Sequence, residues 1–247
     1  SYKLSVITDS ILYESILSPG PLSKFTYYTD NDINYVNSLS IEGNIVHPIN
    51  SISPLIVHKT VLLPGEPIPY TDFNELLYSV LEFIHKYVDI DKDFEIVCAY
   101  YVILTWVYEQ FNTLPYLRVI GQYSSGKTRW LQTIGSLCYH PIFMNGATSA
   151  ASMFRMIDDL EGTVVYDEAD FEYQSDMRSN FTKIMNSGYS KGFPIHKTEG
   201  DNIYAVRTYN VFGPKIVASR ERFKDKALES RFIARVLTNK QPRKDIP

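Results

Sequence analysis

The sequence is poor in sulfur, in long apolar runs and in metal-ligand spacing. Two cysteines among 247 residues, Cys98 and Cys138, cannot staple a fold of this size. That excludes a secreted disulfide framework and points to a reducing, cytoplasmic setting. The longest uncharged apolar run, Ile96 to Val107, falls short of the roughly 20 residues a membrane helix needs, so no membrane partner is expected. Five histidines (His47, His58, His85, His140, His196) have no ligand spacing with one another or with the cysteines, which argues against zinc. No signal peptide, internal repeat or low-complexity stretch is apparent. The first residue is Ser1 rather than Met, so the chain reads as part of a longer protein. What is present is ordinary: 45% apolar and 21% charged residues, enough for a sizeable core in one large domain or one domain with a smaller companion.

The net charge of -4 hides a division. Residues 1–115 carry 14 acidic and 5 basic residues, whereas residues 116–247 carry 14 acidic and 19 basic. The basic part could face an anionic polymer or simply be a solvated surface.

Three regions follow from texture. Residues 1–70 read as a β-rich module, with extended runs at Lys3–Thr8, Lys24–Tyr28 and Ile56–Leu63. Residues 71–115 read as a helical pair. Asp72 with Glu75 is a capping-box pattern, and Leu76, Leu77, Val80, Leu81 and Ile84 form an apolar face; Asp93 is expected to cap a second helix, Phe94 to Phe111. Residues 116–247 alternate strand and helix, the α/β pattern of a parallel sheet. Strands are expected at Tyr116–Ile120, Pro141–Asn145, Thr163–Tyr166, Lys215–Ala218 and Phe232–Leu237, and helices from near Gly126, Ser149 and Asp176.

The chemistry lies in the third region. Gly121-Gln122-Tyr123-Ser124-Ser125-Gly126-Lys127-Thr128 fits G-x-x-x-x-G-K-[ST] in full, after an apolar strand and before a helix. Glycines let backbone wrap phosphate, and the helix N-terminus offers unpaired N–H donors. Lys127 is expected to reach the β- and γ-phosphates and the Thr128 hydroxyl to ligate Mg²⁺. The strand Thr163–Tyr166 ends in Asp167-Glu168, a metal-binding acid followed by a carboxylate able to orient and deprotonate water. ATP hydrolysis is the activity this pair predicts. If the strand around Lys215–Ala218 lies between the other two, Ser219 is a natural sensor of the γ-phosphate. An arginine that stabilises transferred-phosphoryl charge must come from outside the nucleotide's own loop. Arg231 is the candidate, with Arg220 and Arg222 competing.

These motifs, in this order, resemble the AAA+ class of P-loop ATPases, especially the minichromosome maintenance and superfamily 3 helicases of viruses, phages, plasmids and mobile elements. Ala227-Leu228-Glu229-Ser230-Arg231-Phe232 looks like the segment that carries a trans-acting arginine in the former. The 40-residue spacing from Lys127 to Asp167 looks more like the latter. The resemblance implies a ring, with a hexamer expected, and ATP bound between subunits. It also implies a hairpin across Gly188–Val206, turning at Glu199–Asn202, whose Lys197 and His196, with Lys191 and Arg207 alongside, grip single-stranded DNA. Two departures stand out. Ser219 sits where the family often has Asn, and the usual helical lid is missing before Pro247. The resemblance thus implies the motor of a DNA helicase or translocase in replication. A protein-remodelling or loader ATPase, or an ATP-dependent assembly switch, are the alternatives.

Overall fold

The computed structural model describes residues 2–17, 23–29, 32–169, 175–198, 206–238 and 242–247. The chain divides into two compact units, Ser1–Thr71 and Asp72–Pro247.

The first unit holds two small sheets. In one, β1 (Tyr2–Lys3) runs parallel to β7 (Asn44–Pro48), which pairs antiparallel with β6 (Leu39–Ile41). The other is an antiparallel meander of β2 (Ser5–Thr8), β3 (Ile11–Ile16), β4 (Lys24–Thr29) and β5 (Asp32–Val36). Leu4, Ile16, Phe25, Val46 and Val61 are buried. Ser15, also buried, donates its hydroxyl to the Lys3 carbonyl at 2.7 Å and accepts from the Ile49 amide at 3.3 Å, tying the sheets together. The extended run expected at Ile56–Leu63 is instead a helical turn, α1 (Pro54–Val57). Pro54 is the reason: its fixed φ suits the first helical position and the proline lacks only a donor that would go unused there.

In the second unit, α2 (Phe73–Tyr87) starts as expected: Asp72 Oδ1 accepts from the amides of Asn74 (2.8 Å) and Glu75 (3.0 Å). The second helix begins earlier and ends sooner than the sequence suggests. Asp91, not Asp93, caps α3 (Lys92–Trp106) by accepting from the Phe94 amide at 3.1 Å. The chain then leaves the helix for a single 3₁₀ turn, Tyr108–Gln110. Tertiary bonds fix that exit. The Tyr139 amide donates to Thr105 Oγ1 at 3.0 Å, and Trp106 Nε1 donates to the Leu137 carbonyl at 3.0 Å.

The remaining elements are β8 (Tyr116–Ile120), α4 (Lys127–Leu137), β9 (Pro141–Met144), α5 (Ala150–Leu160), β10 (Thr163–Tyr166), α6 (Ser175–Ser187), β11 (Ile195–Thr198), β12 (Val206–Tyr209), β13 (Lys215–Ser219), α7 (Lys226–Glu229) and β14 (Phe232–Val236). Five of the strands form an all-parallel sheet in the order β14-β8-β13-β10-β9, consistent with a P-loop NTPase-like core. Parallel neighbours need crossover connections, and helices on the faces bury the central strands; every residue of β8, β10 and β13 is buried. Leu117, Val119, Ile216 and Ala218 of the sheet pack with Trp130, Leu131 and Ile134 of α4 and with Phe94, Cys98 and Val102 of α3. Both cysteines are free and buried, and burial pushes the Cys138 thiol up to about 12. Among the described residues no helix is long and apolar enough to cross a membrane.

Candidate active site

The carboxyl ends of β8, β13 and β10 lie side by side, and ligands bind outside such ends in open α/β sheets. Register holds them there: the Gly121 amide donates to the Ser219 carbonyl at 3.1 Å, and the Ala169 amide to that of Ala218 at 3.1 Å. Gly121 permits a tight fold of the loop. A Cβ on it would lie 2.3 Å from Ser125 Oγ and 3.3 Å from the Leu237 carbonyl. Gly126 has a φ of +86° and caps α4, so Lys127 and Thr128 open the helix with their amides at its N-terminus. Lys127 Nζ donates to the carbonyls of Gly121 (2.6 Å) and Gln122 (2.8 Å), which holds the ammonium over its own loop. Ser125 Oγ is buried in this loop without a hydrogen-bond partner among the described residues.

Across the cleft, the Asp167 amide donates to the Met144 carbonyl, which fixes the acid at the end of β10. Thr128 Oγ1 donates to Asp167 Oδ2 at 2.8 Å, and the Glu168 amide to Asp167 Oδ1 at 2.9 Å. Glu168 has a φ of +59°, a left-handed conformation costing on the order of 1 kcal/mol for a residue with a Cβ. The turn aims its carboxylate into the same cleft of about 370 Å³ that Lys127, Thr128, Asp167 and Arg220 line. The hydroxyl–carboxylate pair, two hard oxygen donors in contact, fits a magnesium ion shared with phosphates. A site built from three or more His, Cys, Asp or Glu side chains is absent among the described residues. A second cavity of about 330 Å³ lies on the other side of the loop, sharing Ser124, Ser125, Gly126 and Arg129 with the first and walled by Val88, Ile90 and Leu237.

The other sequence-nominated residues lie elsewhere. Ser219 ends β13 beside the cleft, but it is fully buried and its hydroxyl donates to the Glu221 carbonyl at 2.9 Å, so it does not line the cavity. Arg231 precedes β14, whose Phe232 pairs with Tyr116, the first residue of β8. It therefore sits at the amino ends of strands whose carboxyl ends carry the loop, about 15 Å away at a strand's rise per residue. There its guanidinium lies 5.3 Å from the Tyr189 ring centroid.

Hairpin strands β11 and β12 pair antiparallel, Lys197 opposite Arg207 and His196 opposite Thr208; the turn expected at Glu199–Asn202 lies outside the described residues. Alternation then separates the nominated grip residues. Lys197 turns inward, its ammonium 3.4 Å from the Phe154 ring centroid and donating to Asn180 Oδ1 at 3.3 Å. Desolvation, then the neighbouring Lys183, lowers its pKa. Arg207, on the same face, meets Asp159 at 3.4 Å and Asp158 at 3.7 Å. His196 points outward, its Nδ1 2.9 Å from Thr208 Oγ1. Lys191 lies apart, donating to the Glu109 carbonyl and lying 5.5 Å from the Phe212 ring centroid. The structure thus brings Lys127, Thr128, Asp167 and Glu168 together and keeps Lys191, His196 and Lys197 on separate surfaces.

Three cations escaped the sequence reading. Arg118 in β8 is fully buried, pairs with Glu229 at 2.5 Å and lies 4.5 and 4.7 Å from the ring centroids of Phe223 and Phe232. An arginine inside the apolar run Tyr-Leu-Arg-Val-Ile was the available signal. Lys215 opens β13 fully buried, donating to the carbonyls of Val211 (2.8 Å) and Gly213 (2.9 Å). Burial pushes it down to about 7, and a neutral amine has two N–H groups for those two acceptors. Arg220, a competitor for another role by sequence, lies in the cleft wall with its guanidinium 4.3 Å from the Tyr123 ring centroid.

Neither a family model nor a curated protein matches the chain. Solved structures resemble it in part. "JCV Helicase" is 16% identical over 71% of this chain and 46% of that one, with a TM-score of 0.39. The C-terminal region of NrS-1 is 12% identical over 92% and 58%, also at 0.39. "SCCmec type IV Cch - active helicase" is 12% identical over 95% and 58%, at 0.36. The chain spans about half the length of these neighbours, and at TM-scores below 0.5 the likeness decides nothing about function.

Proposed function

We propose that the second unit is an AAA+-type ATPase motor that binds ATP with magnesium and drives a DNA helicase or translocase. The observation that carries the reading is the contact of Thr128 with Asp167, beside Lys127 and Glu168, in one cleft at the carboxyl edge of a parallel sheet. In this reading the loop amides and Lys127 bind the β- and γ-phosphates, and Lys127 leaves its loop carbonyls for them. The cavity beside Val88 and Ile90 takes the nucleoside. Magnesium, when bound, would be held by Thr128 and Asp167 and would offset phosphate charge. Glu168 orients a water and accepts its proton. The water oxygen bonds to the γ-phosphorus as the bond to the β,γ-bridging oxygen breaks, and the electron pair leaves on ADP. Arg231, remote from its own chain's loop, would serve a neighbour's site, which supports a ring.

The test is turnover of ATP with and without single-stranded DNA. Lys127→Ala is expected to abolish ATP binding, and Glu168→Gln to keep binding but lose turnover by about 10²-fold or more. Undiminished turnover in Glu168→Gln would refute the assignment. One observation favours a second reading, a remodelling or loader ATPase: Lys197 is docked against Phe154 and Asn180 rather than projecting. DNA-stimulated turnover that Lys197→Ala weakens would favour the helicase; turnover indifferent to both would favour the alternative.

A further inference from the structure

The strand between the two phosphate-binding strands should deliver a polar group to the γ-phosphate end of the cleft. Ser219, the last residue of that strand, is unsuited, because its hydroxyl is committed to Glu221 inside the following turn. The next side chain, Arg220, emerges into the cleft opposite Lys127 and beside Glu168. Its guanidinium rests on the face of Tyr123, a phosphate-loop residue whose ring is 65% exposed. A cation over an exposed ring gains only about 0.5–1 kcal/mol. A charge-assisted bond to phosphate is stronger, since a guanidinium matches a phosphoryl group with two parallel donors.

We propose that Arg220 is a catalytic residue of its own chain's site, bonding the γ-phosphate and leaving the Tyr123 ring when a triphosphate binds. This rests on the ATPase reading and deepens it. The arginine reads whether a third phosphate is present, because a diphosphate ends short of it. It also neutralises charge on the γ-phosphate oxygens as the bond to ADP breaks, and Tyr123 reports the event at the mouth of the cleft.

The experiment compares the full chain with Arg220→Ala, Arg220→Lys and Lys224→Ala, which removes a positive charge from the same turn outside the cleft. Turnover is measured beside binding of ADP and of a non-hydrolysable ATP analogue. Arg220→Ala is expected to bind ADP within about twofold of the parent, to lose about tenfold in affinity for the analogue, and to lose 10²–10³-fold in turnover, the usual cost of removing one preorganised donor. Arg220→Lys restores part of this, and Lys224→Ala turns over as the parent does. In a Tyr123→Trp chain, the analogue but not ADP shifts the added fluorescence, and Arg220→Ala abolishes that shift. If Arg220→Ala weakens ADP and analogue equally, or leaves turnover within threefold, the inference is overturned while the ATPase reading stands. If the parent neither binds nor hydrolyses ATP, the ATPase reading itself fails, and this inference with it.

Discussion

Glu229→Ala should destabilise the second unit more than any surface charge removal, and the structure sets the size. Arg118 is fully buried and Glu229 is 20% exposed, so the arginine depends on the carboxylate far more than the reverse. Truncating one partner of a buried pair strands the other and costs about 3–5 kcal/mol. Glu229 Oε2 also accepts from the Phe223 amide at 3.0 Å, whose loss adds about 1 kcal/mol. The total, about 4–6 kcal/mol, is a large part of the stability of an ordinary domain. For a unit of this size it lowers Tm by roughly 10–20 °C. Arg118→Met should cost less, about 1–2 kcal/mol, because Glu229 reaches solvent and keeps Phe223. Arg118 Nε and Nη1 have no hydrogen-bond partner among the described residues, and the guanidinium faces two phenyl rings instead. A pair so incompletely bonded gains little over an apolar replacement, so Arg118→Met with Glu229→Leu should lie nearer the parent than Glu229→Ala does. The assay is urea and thermal unfolding of the full chain followed by tryptophan fluorescence, since both tryptophans, Trp106 and Trp130, belong to the second unit. A cost below 1 kcal/mol for Glu229→Ala, or single costs that simply add in the double variant, would refute the reasoning.

Two further predictions concern Lys215 and Gly121. The Lys215 amine titrates near 7 in the folded chain against 10.5 as its ordinary value, because burial disfavours the charge. Between those limits the unfolded chain binds more protons, so this group's penalty is full below pH 7 and relieved as pH rises. The stability gap between Lys215→Met and the parent should therefore shrink by about 2–3 kcal/mol from pH 7 to pH 9; a gap independent of pH in urea titrations would contradict a neutral Lys215. Gly121→Ala drives a methyl to 2.3 Å from Ser125 Oγ, so nucleotide affinity should fall at least tenfold by fluorescence titration, with stability lowered by about 1–3 kcal/mol. Adding Ser125→Ala should recover part of the affinity, and no recovery would show that the contact is not the cause.

The phosphate loop was legible because each residue type there answers a backbone or ligand demand local in sequence: Gly126 for its φ, Lys127 for charge, Asp167 for the strand end. The first cap was legible for the same reason, since Asp72 and Glu75 are three residues apart. What escaped depends on distant contacts. The exit of α3 is set by Tyr139 and Leu137, about thirty residues on. The true cap Asp91 lost to Asp93 because both precede the same apolar run and only register decides. Lys197 was read as projecting because its alternation against Arg207, and the Phe154 ring it meets, are properties of the packed hairpin. Ile56–Leu63 looked extended from its β-branched residues, while Pro54, two residues upstream, already favoured a turn.

The position of Glu229 also bears on how the two ends of the sheet communicate. Arg220 leaves β13 at the carboxyl edge, and Arg231 enters β14 at the amino edge. Ten residues join them across about 15 Å, yet an extended chain of ten could reach about 33 Å. Such slack would leave the angles of both arginines undetermined. Glu229 removes it from within the segment: one carboxylate accepts from the Phe223 amide, meets Arg222 at 3.5 Å and is itself held by Arg118 of the central strand. The turn carrying Arg220 and the turn carrying Arg231 are thus pinned to the same buried guanidinium. A shift of Arg220 toward a phosphate, if it pulls on residues 221–223, pulls on the group that orients Arg231. Its natural route runs through the sheet's interior, and the charge buried there, costly for stability alone, is what makes that route stiff.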